Sequence, residues 1–179
     1  MSHGGYWVST EVDGNATLMA NTQNFWVAGK DAAAAAAYIA GLNSETAPYY
    51  YLYQGQVLGS VIENGTAYGI DPANSAVTLK FDFGNTKAII PSGSSISFTS
   101  SAPTNPSWKL IPDAAVVSGG KFTGTLTNDG TIMTTSATGT IKGQFFGTQA
   151  QGIGGTLKAI AGGSTAIGVF KGTGEMTLP

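Results

Sequence analysis

The stretch Gln56-Val57-Leu58-Gly59-Ser60-Val61-Ile62-Glu63-Asn64-Gly65-Thr66-Ala67-Tyr68-Gly69-Ile70 carries the clearest structural signal in the chain. Asn64-Gly65 supplies the two positive-φ residues of a type I′ turn, so the flanks read as the strands of a hairpin. Asp71-Pro72-Ala73-Asn74 follows as a type I turn with Pro at its second position. Val77-Thr78-Leu79-Lys80-Phe81-Asp82-Phe83 then alternates apolar and polar residues. A period of two turns one face to a core and the other to water. On that pattern Lys80 and Asp82 share an exposed face and can form a weak pair. The alternation returns in Ser95-Ile96-Ser97-Phe98-Thr99, in residues 121–127 and in residues 139–146. Shorter strands are expected at Trp108-Lys109-Leu110-Ile111, Thr156-Leu157-Lys158-Ala159 and Ala166-Ile167-Gly168-Val169-Phe170, the last two flanking a tight Ala161-Gly162-Gly163-Ser164 turn.

About eight strands fall between Tyr49 and Lys171, joined by short connections, which makes an antiparallel meander. A meander has two edges, and closing it into a barrel removes both. Eight strands with their turns need roughly 120 residues, the length available. Strand glycines such as Gly55, Gly59, Gly124, Gly143 and Gly168 suit the sharp coiling of a small barrel. The expected fold is mainly β: an eight-stranded antiparallel up-and-down β-barrel, with a two-sheet sandwich as the competing architecture. One short Ala-rich helix is expected over residues 31–41, with Asp31 as N-cap and Gly41 just past the end. It belongs to an N-terminal extension, residues 6–47, with two short strands around Asp13-Gly14-Asn15, packed on the barrel or plugging one end. Residues 1–5 read as a cloning scar or frayed end, 48–175 as the barrel and 176–179 as a tail.

Composition narrows the function. The chain has 179 residues, no Cys, one His and a net charge of −2, and its 8 basic residues are all Lys. Without Cys there is no disulfide, thiolate zinc site or cysteine nucleophile. Without Arg or a basic excess, nucleic acid is an unsuitable partner. His3 lies in the terminal Met1-Ser2-His3-Gly4-Gly5, so a His-based site is not expected. No carboxylate pair or Ser–His arrangement points to catalysis. The expectation is a protein that is not an enzyme, with no metal and no cofactor. Calcium at Asp13-Gly14-Asn15 has no supporting ligand spacing. No signal peptide is visible, and the longest apolar run, residues 32–40, falls short of the roughly 20 residues a spanning helix needs.

The stretch Gly143-Gln144-Phe145-Phe146-Gly147-Thr148-Gln149-Ala150-Gln151-Gly152-Ile153-Gly154-Gly155-Thr156-Leu157, followed by Gly168-Val169-Phe170-Lys171-Gly172, resembles the last barrel strands of transferrin-binding protein B and related Gram-negative surface lipoproteins. Residues 77–84 are similar to an Asp-Phe-Gly strand of the same barrels. The resemblance spans roughly residues 48 to 174 and implies an eight-stranded barrel in an extracellular or outer-membrane-surface protein. It further implies recognition of a host or environmental protein through barrel loops, with iron acquisition as the setting. The chain departs from the family in holding one barrel rather than two lobes and in lacking the lipidated Cys. With its short Ala-rich helix before one barrel, the chain also resembles the single barrels that form C-terminal domains of larger envelope proteins, including ones with a FecR-type region, and a single-barrel haem-binding secreted protein is a further relative. The Gly-rich motif needs no ligand to explain it: Gly147 and Gly152 free the backbone for a tight loop, and no phosphate-loop pattern is present.

The run Tyr49-Tyr50-Tyr51-Leu52-Tyr53 places Tyr49, Tyr51 and Tyr53 on one strand face and Tyr50 on the other. Tyr rings suit both a core and a contact surface, and Tyr can ligate haem iron. Tyr49, Tyr51, Tyr53 and Trp108 are therefore candidate partner contacts, each read first as packing. Three functions stay open: a protein-binding module, a small-ligand (haem) carrier at the barrel mouth, and a structural domain.

Overall fold

The structure, a computed structural model, describes residues 29–42, 50–84, 88–113, 115–133 and 135–177. The expected strands of the N-terminal extension, its Asp13-Gly14-Asn15 turn, and Tyr49 lie outside the described residues.

β1 (Tyr50–Glu63) and β2 (Thr66–Gly69) form the hairpin. Asn64 and Gly65 sit at φ 49° and 79°, the left-handed backbone that Asn and Gly tolerate best. The chain then steps outward. The Asp71 carboxylate accepts the Ala73 N–H at 3.0 Å and the Asn74 amide at 2.6 Å, wrapping a single 3₁₀ turn over Pro72–Asn74. Ser75 ties this excursion to β1, its hydroxyl accepting the Val57 N–H at 3.1 Å. β3 (Ala76–Asp82) resumes alongside β1, opposite Tyr50–Gly55, so β2 and β3 are two halves of one barrel strand.

β4 (Ala88–Thr99) carries Pro91 mid-strand, where a ladder donor is missing. The register absorbs it: Thr78 faces Ser95 but Lys80 faces Ile90, and the surplus residues bulge out. The Ser94 hydroxyl accepts the Lys80 N–H at 2.8 Å and donates to the Ile90 carbonyl at 2.7 Å, replacing the lost ladder bonds. β5 (Ser107–Pro112) and β6 (Val116–Ser118) are again two halves of one strand, between β4 and β7 (Lys121–Asn128). β8 (Ala137–Phe146), β9 (Gly152–Ala161) and β10 (Ser164–Thr177) follow, each antiparallel to the one before. β10 then pairs with β1 from Tyr50 opposite Thr177 to Glu63 opposite Ser164. That seam closes the sheet into an eight-stranded antiparallel barrel and rules out the sandwich, in which β1 and β10 would be edges.

Aromatic rings fill the interior. Phe81 stands 4.9 Å from both Phe122 and Phe145, and Phe83 stands 5.1 Å from Phe145 and from Tyr51, centroid to centroid. Edge-on pairs of this kind add about 0.5–1.5 kcal/mol each beyond area burial. Helix α1 (Ala32–Leu42) lies across one end of the barrel, burying Ala35 and Ile39. Its small side chains let it approach closely: a Cβ on Gly120, in the β6–β7 turn, would sit 2.8 Å from the Ala36 Cβ. Asp31 takes the expected N-cap place, its carbonyl accepting the Ala35 N–H at 2.9 Å, with φ at 60°. The end of the helix differs from the sequence reading: Gly41 lies inside the last turn, which runs to Leu42. The expected exposed face of β3 also differs: Asp82 is buried, accepting the Gly84 N–H at 2.8 Å, while the Lys80 ammonium lies over the Tyr50 ring.

Candidate functional site: the loop-bearing rim

The end away from α1 gathers four connections: the Asn64-Gly65 turn, the loop 100–106, the loop 129–136 and the Gly162-Gly163 turn. Alternation along β1 turns Val57, Val61 and Glu63 inward, so a carboxylate arrives in a position otherwise reserved for apolar side chains. Glu63 is 3% exposed. A buried charge must be compensated by hydrogen bonds, and here the compensation comes from the rim. Glu63 accepts the backbone N–H of Thr104 at 3.1 Å, that of Asn105 at 2.9 Å and the Ser164 hydroxyl at 2.8 Å. The Asn105 amide in turn donates to the Ser164 hydroxyl oxygen at 2.8 Å. Burial pushes the Glu63 carboxyl pKa up, but the bonds from Ser164, Asn105 and Thr104 outweigh it and hold it below its ordinary value. One carboxylate thus clamps three rim connections together.

The fourth connection has its own support. Asp129 accepts the Thr131 hydroxyl and its N–H and pairs with Lys109 at 2.9 Å. These contacts, led by the Thr131 hydroxyl and then Lys109, hold its carboxyl well below the usual range. Asn128 accepts the Ala137 N–H at 3.1 Å, closing the base of the loop. Ile132, 50% exposed, is the large apolar side chain this loop presents to solvent, and Ile160, 46% exposed, stands on β9 at the same end.

Of the sequence-derived contact residues, Tyr49 lies outside the described residues and the other three are enclosed. Tyr51, Tyr53 and Trp108 are 4%, 0% and 1% exposed, inside the barrel. The Trp108 ring stacks on Phe98 and its indole N–H donates to the Asn105 carbonyl at 2.9 Å, beneath the rim loop. The Tyr53 hydroxyl donates to the Ala150 carbonyl at 2.6 Å, and the Tyr51 and Tyr38 hydroxyls are bonded at 2.8 Å. Burial raises the phenol pKa of both Tyr51 and Tyr53. Glu63 escaped the sequence reading, although an acidic residue in phase with Val57 and Val61 just before Asn-Gly was the available signal. Among the described residues no cluster of three metal-ligating side chains occurs.

A model of the C-lobe and N-lobe β-barrels of transferrin-binding protein B matches residues 48–173, more than half of the chain. The chain belongs to this family. No curated protein matches it by sequence. Among solved structures, the isotype 1 transferrin-binding protein B of serogroup B Neisseria meningitidis is 21% identical, with a TM-score of 0.52 over 76% of this chain and 26% of that one. A transferrin-binding protein B variant from Haemophilus parasuis Hp5 is 17% identical, at a TM-score of 0.46 over 73% of this chain and 27% of the other. A surface lipoprotein is likewise 17% identical, at 0.46 over 70% and 61%. The chain therefore spans about a quarter of the Neisseria protein, and the likeness is one of fold.

The family motif has a local physical account in this chain. Gly147 takes φ 86° at the start of the β8–β9 turn, and Ala150 closes it at φ 56° with its side chain fully buried. The Ala150 N–H donates to the Gly147 carbonyl at 3.1 Å, and its own carbonyl receives Tyr53. The Gly147 N–H reaches the Lys30 carbonyl at 3.0 Å, tying the lead into α1 to the same turn.

Proposed function

We propose that the chain is a non-enzymatic binding module of a bacterial surface protein, recognising a protein partner through its loop-bearing rim. The observation that carries this reading is the Glu63 network, which fixes three rim connections on a barrel whose interior is already occupied by aromatic side chains. Loops fixed before contact lose less conformational freedom on binding. An exposed Ile132 among polar loop residues gives such a surface an apolar anchor. The filled interior and the engaged Tyr51 and Tyr53 hydroxyls weigh against a haem carrier that uses the lumen. Family membership supports a cell-surface setting and makes transferrin the first partner to test.

The test is biolayer interferometry of the immobilised chain against iron-loaded and iron-free transferrin, and against proteins of the surrounding medium. Ile132→Asp is expected to weaken a bound protein at least about tenfold, as loss of an interface anchor does. A change in Lys80, on the barrel wall away from the rim, is expected to leave binding intact. Binding indifferent to Ile132→Asp and to substitutions in loop 100–106 would contradict rim recognition.

A further inference from the structure

The outer wall of β7–β10 differs chemically from the rest of the molecule. Its inward positions are mostly apolar, while the outward ones are dominated by Lys, Thr, Gln and Gly. Lys121 lies opposite Gln144, two positions from Lys142; Lys142 lies opposite Thr156, two positions from Lys158. Diagonal cross-strand neighbours are about 7–8 Å apart, so three ammonium groups form an oblique row over adjacent strands. Lys171 stands on β10 of the same wall, opposite Gly154 and four positions along from the partner of Lys158. All four lysines are exposed, and among the described residues none is in an ion pair. The acidic residue of these four strands, Glu175, stands near the end of β10. A chain of net charge −2 has therefore gathered half of its 8 lysines on one wall.

Two depressions open on that wall. One, of about 280 Å³, lies among Lys121, Lys142 and Gln144; the other, of about 260 Å³, lies among Gln54, Gln56 and Lys171. A cross-strand row Gln56, Lys171, Gly154, Gln144, Lys121 runs through both. Gly154, at its centre, has no side chain to separate them. At about 4.8 Å per strand, the row gives a track roughly 19 Å long.

We propose that this track binds an acidic polysaccharide. Ammonium groups suit carboxylate or sulfate substituents, and the glutamine amides and threonine hydroxyls both donate to and accept from sugar hydroxyls. Two other polymers fit less well. Protein interfaces concentrate aromatic and Arg anchors and are depleted in Lys, and Phe146, the aromatic residue beside the track, is buried. Single-stranded nucleic acid needs stacking rings, and the wall exposes none.

Calorimetric titration of the whole chain with dextran sulfate, neutral dextran and poly-L-glutamate tests this. Dextran sulfate is expected to bind, more weakly as salt is raised, while neutral dextran and poly-L-glutamate bind far less. The double variant Lys121→Glu/Lys171→Glu changes two exposed side chains of the track and is expected to keep its melting temperature. It should lose at least about tenfold in affinity for dextran sulfate, and Lys80→Glu, off the wall, less than about twofold. Absence of dextran sulfate binding, equal affinity in the wall variant, or neutral dextran binding as tightly would overturn the proposal. Tighter binding of poly-L-glutamate would overturn it in favour of an acidic protein.

Discussion

Tyr53 joins the first barrel strand to the turn that carries the family motif. Its ring packs 5.6 Å from Phe81 and Phe145, and its hydroxyl is the partner of a buried Ala150 carbonyl. Tyr53→Phe keeps the ring and leaves that carbonyl without its donor, which costs about 1–3 kcal/mol; urea unfolding reads the loss directly. The same residue sets the alkaline limb of stability. Its folded pKa is raised, so the folded chain holds the phenol proton more tightly than the unfolded chain does. That contribution is complete below the ordinary tyrosine pKa of about 10 and is lost as pH rises beyond it. Glu63 sets an acid limb with the opposite sign. Its pKa is lowered, so its contribution is present above the ordinary carboxyl value of 4.5 and disappears as pH falls below that. Urea midpoints across pH should therefore fall at both ends, with Glu63→Gln flattening the acid limb and Tyr53→Phe the alkaline one. Unchanged limbs in the two variants would remove these residues from the account.

At the scale of elements, inward glycines and aromatic rings are complementary. A Cβ on Gly143 would lie 2.2 Å from the Phe122 ring, and one on Gly174 would lie 2.3 Å from the Tyr53 ring. The rings cover backbone that has no side chain of its own, as edge glycines are covered in designed sheets. Gly143→Ala should thus cost about 1–3 kcal/mol by overpacking, and adding Phe122→Leu should recover part of that loss. A neutral Gly143→Ala would show that the ring gives way freely. Element identity was legible wherever alternation was strict, as in β3 and β7. It failed where tertiary contacts govern. β6 is three residues long and exists because β4 and β7 flank it. The first residues of β4 were missed because Pro91 conceals a strand whose register the Ser94 hydroxyl repairs. In the site, Tyr51, Tyr53 and Trp108 were visible as aromatic residues, but spacing alone does not say which ring a closed sheet encloses. The rim was less visible still, because Glu63, Asn105 and Ser164 are far apart in sequence and meet only through barrel closure.

At the scale of the whole molecule, every functional inference rests on the seam between β1 and β10. If it is closed, the aromatic interior is sealed, the rim becomes one surface, and Gln56 and Lys171 become neighbours on the outer wall. If it is open, β1 and β10 are edges with unpaired backbone groups, liable to pair with other chains. The number of strands was legible in sequence, and closure followed from the need to remove two edges; the register of the seam was not legible, because it joins the first strand to the last and no local pattern encodes so long a pairing. Amide hydrogen exchange resolved along β1 and β10 tests it directly. The account predicts that amides from Gln54 to Ile62, and their partners from Thr165 to Thr173, exchange as slowly as those of the central β8–β9 pair. Exchange of the seam amides at loop-like rates, while β8 and β9 stay protected, would contradict a closed barrel and the surfaces built on it.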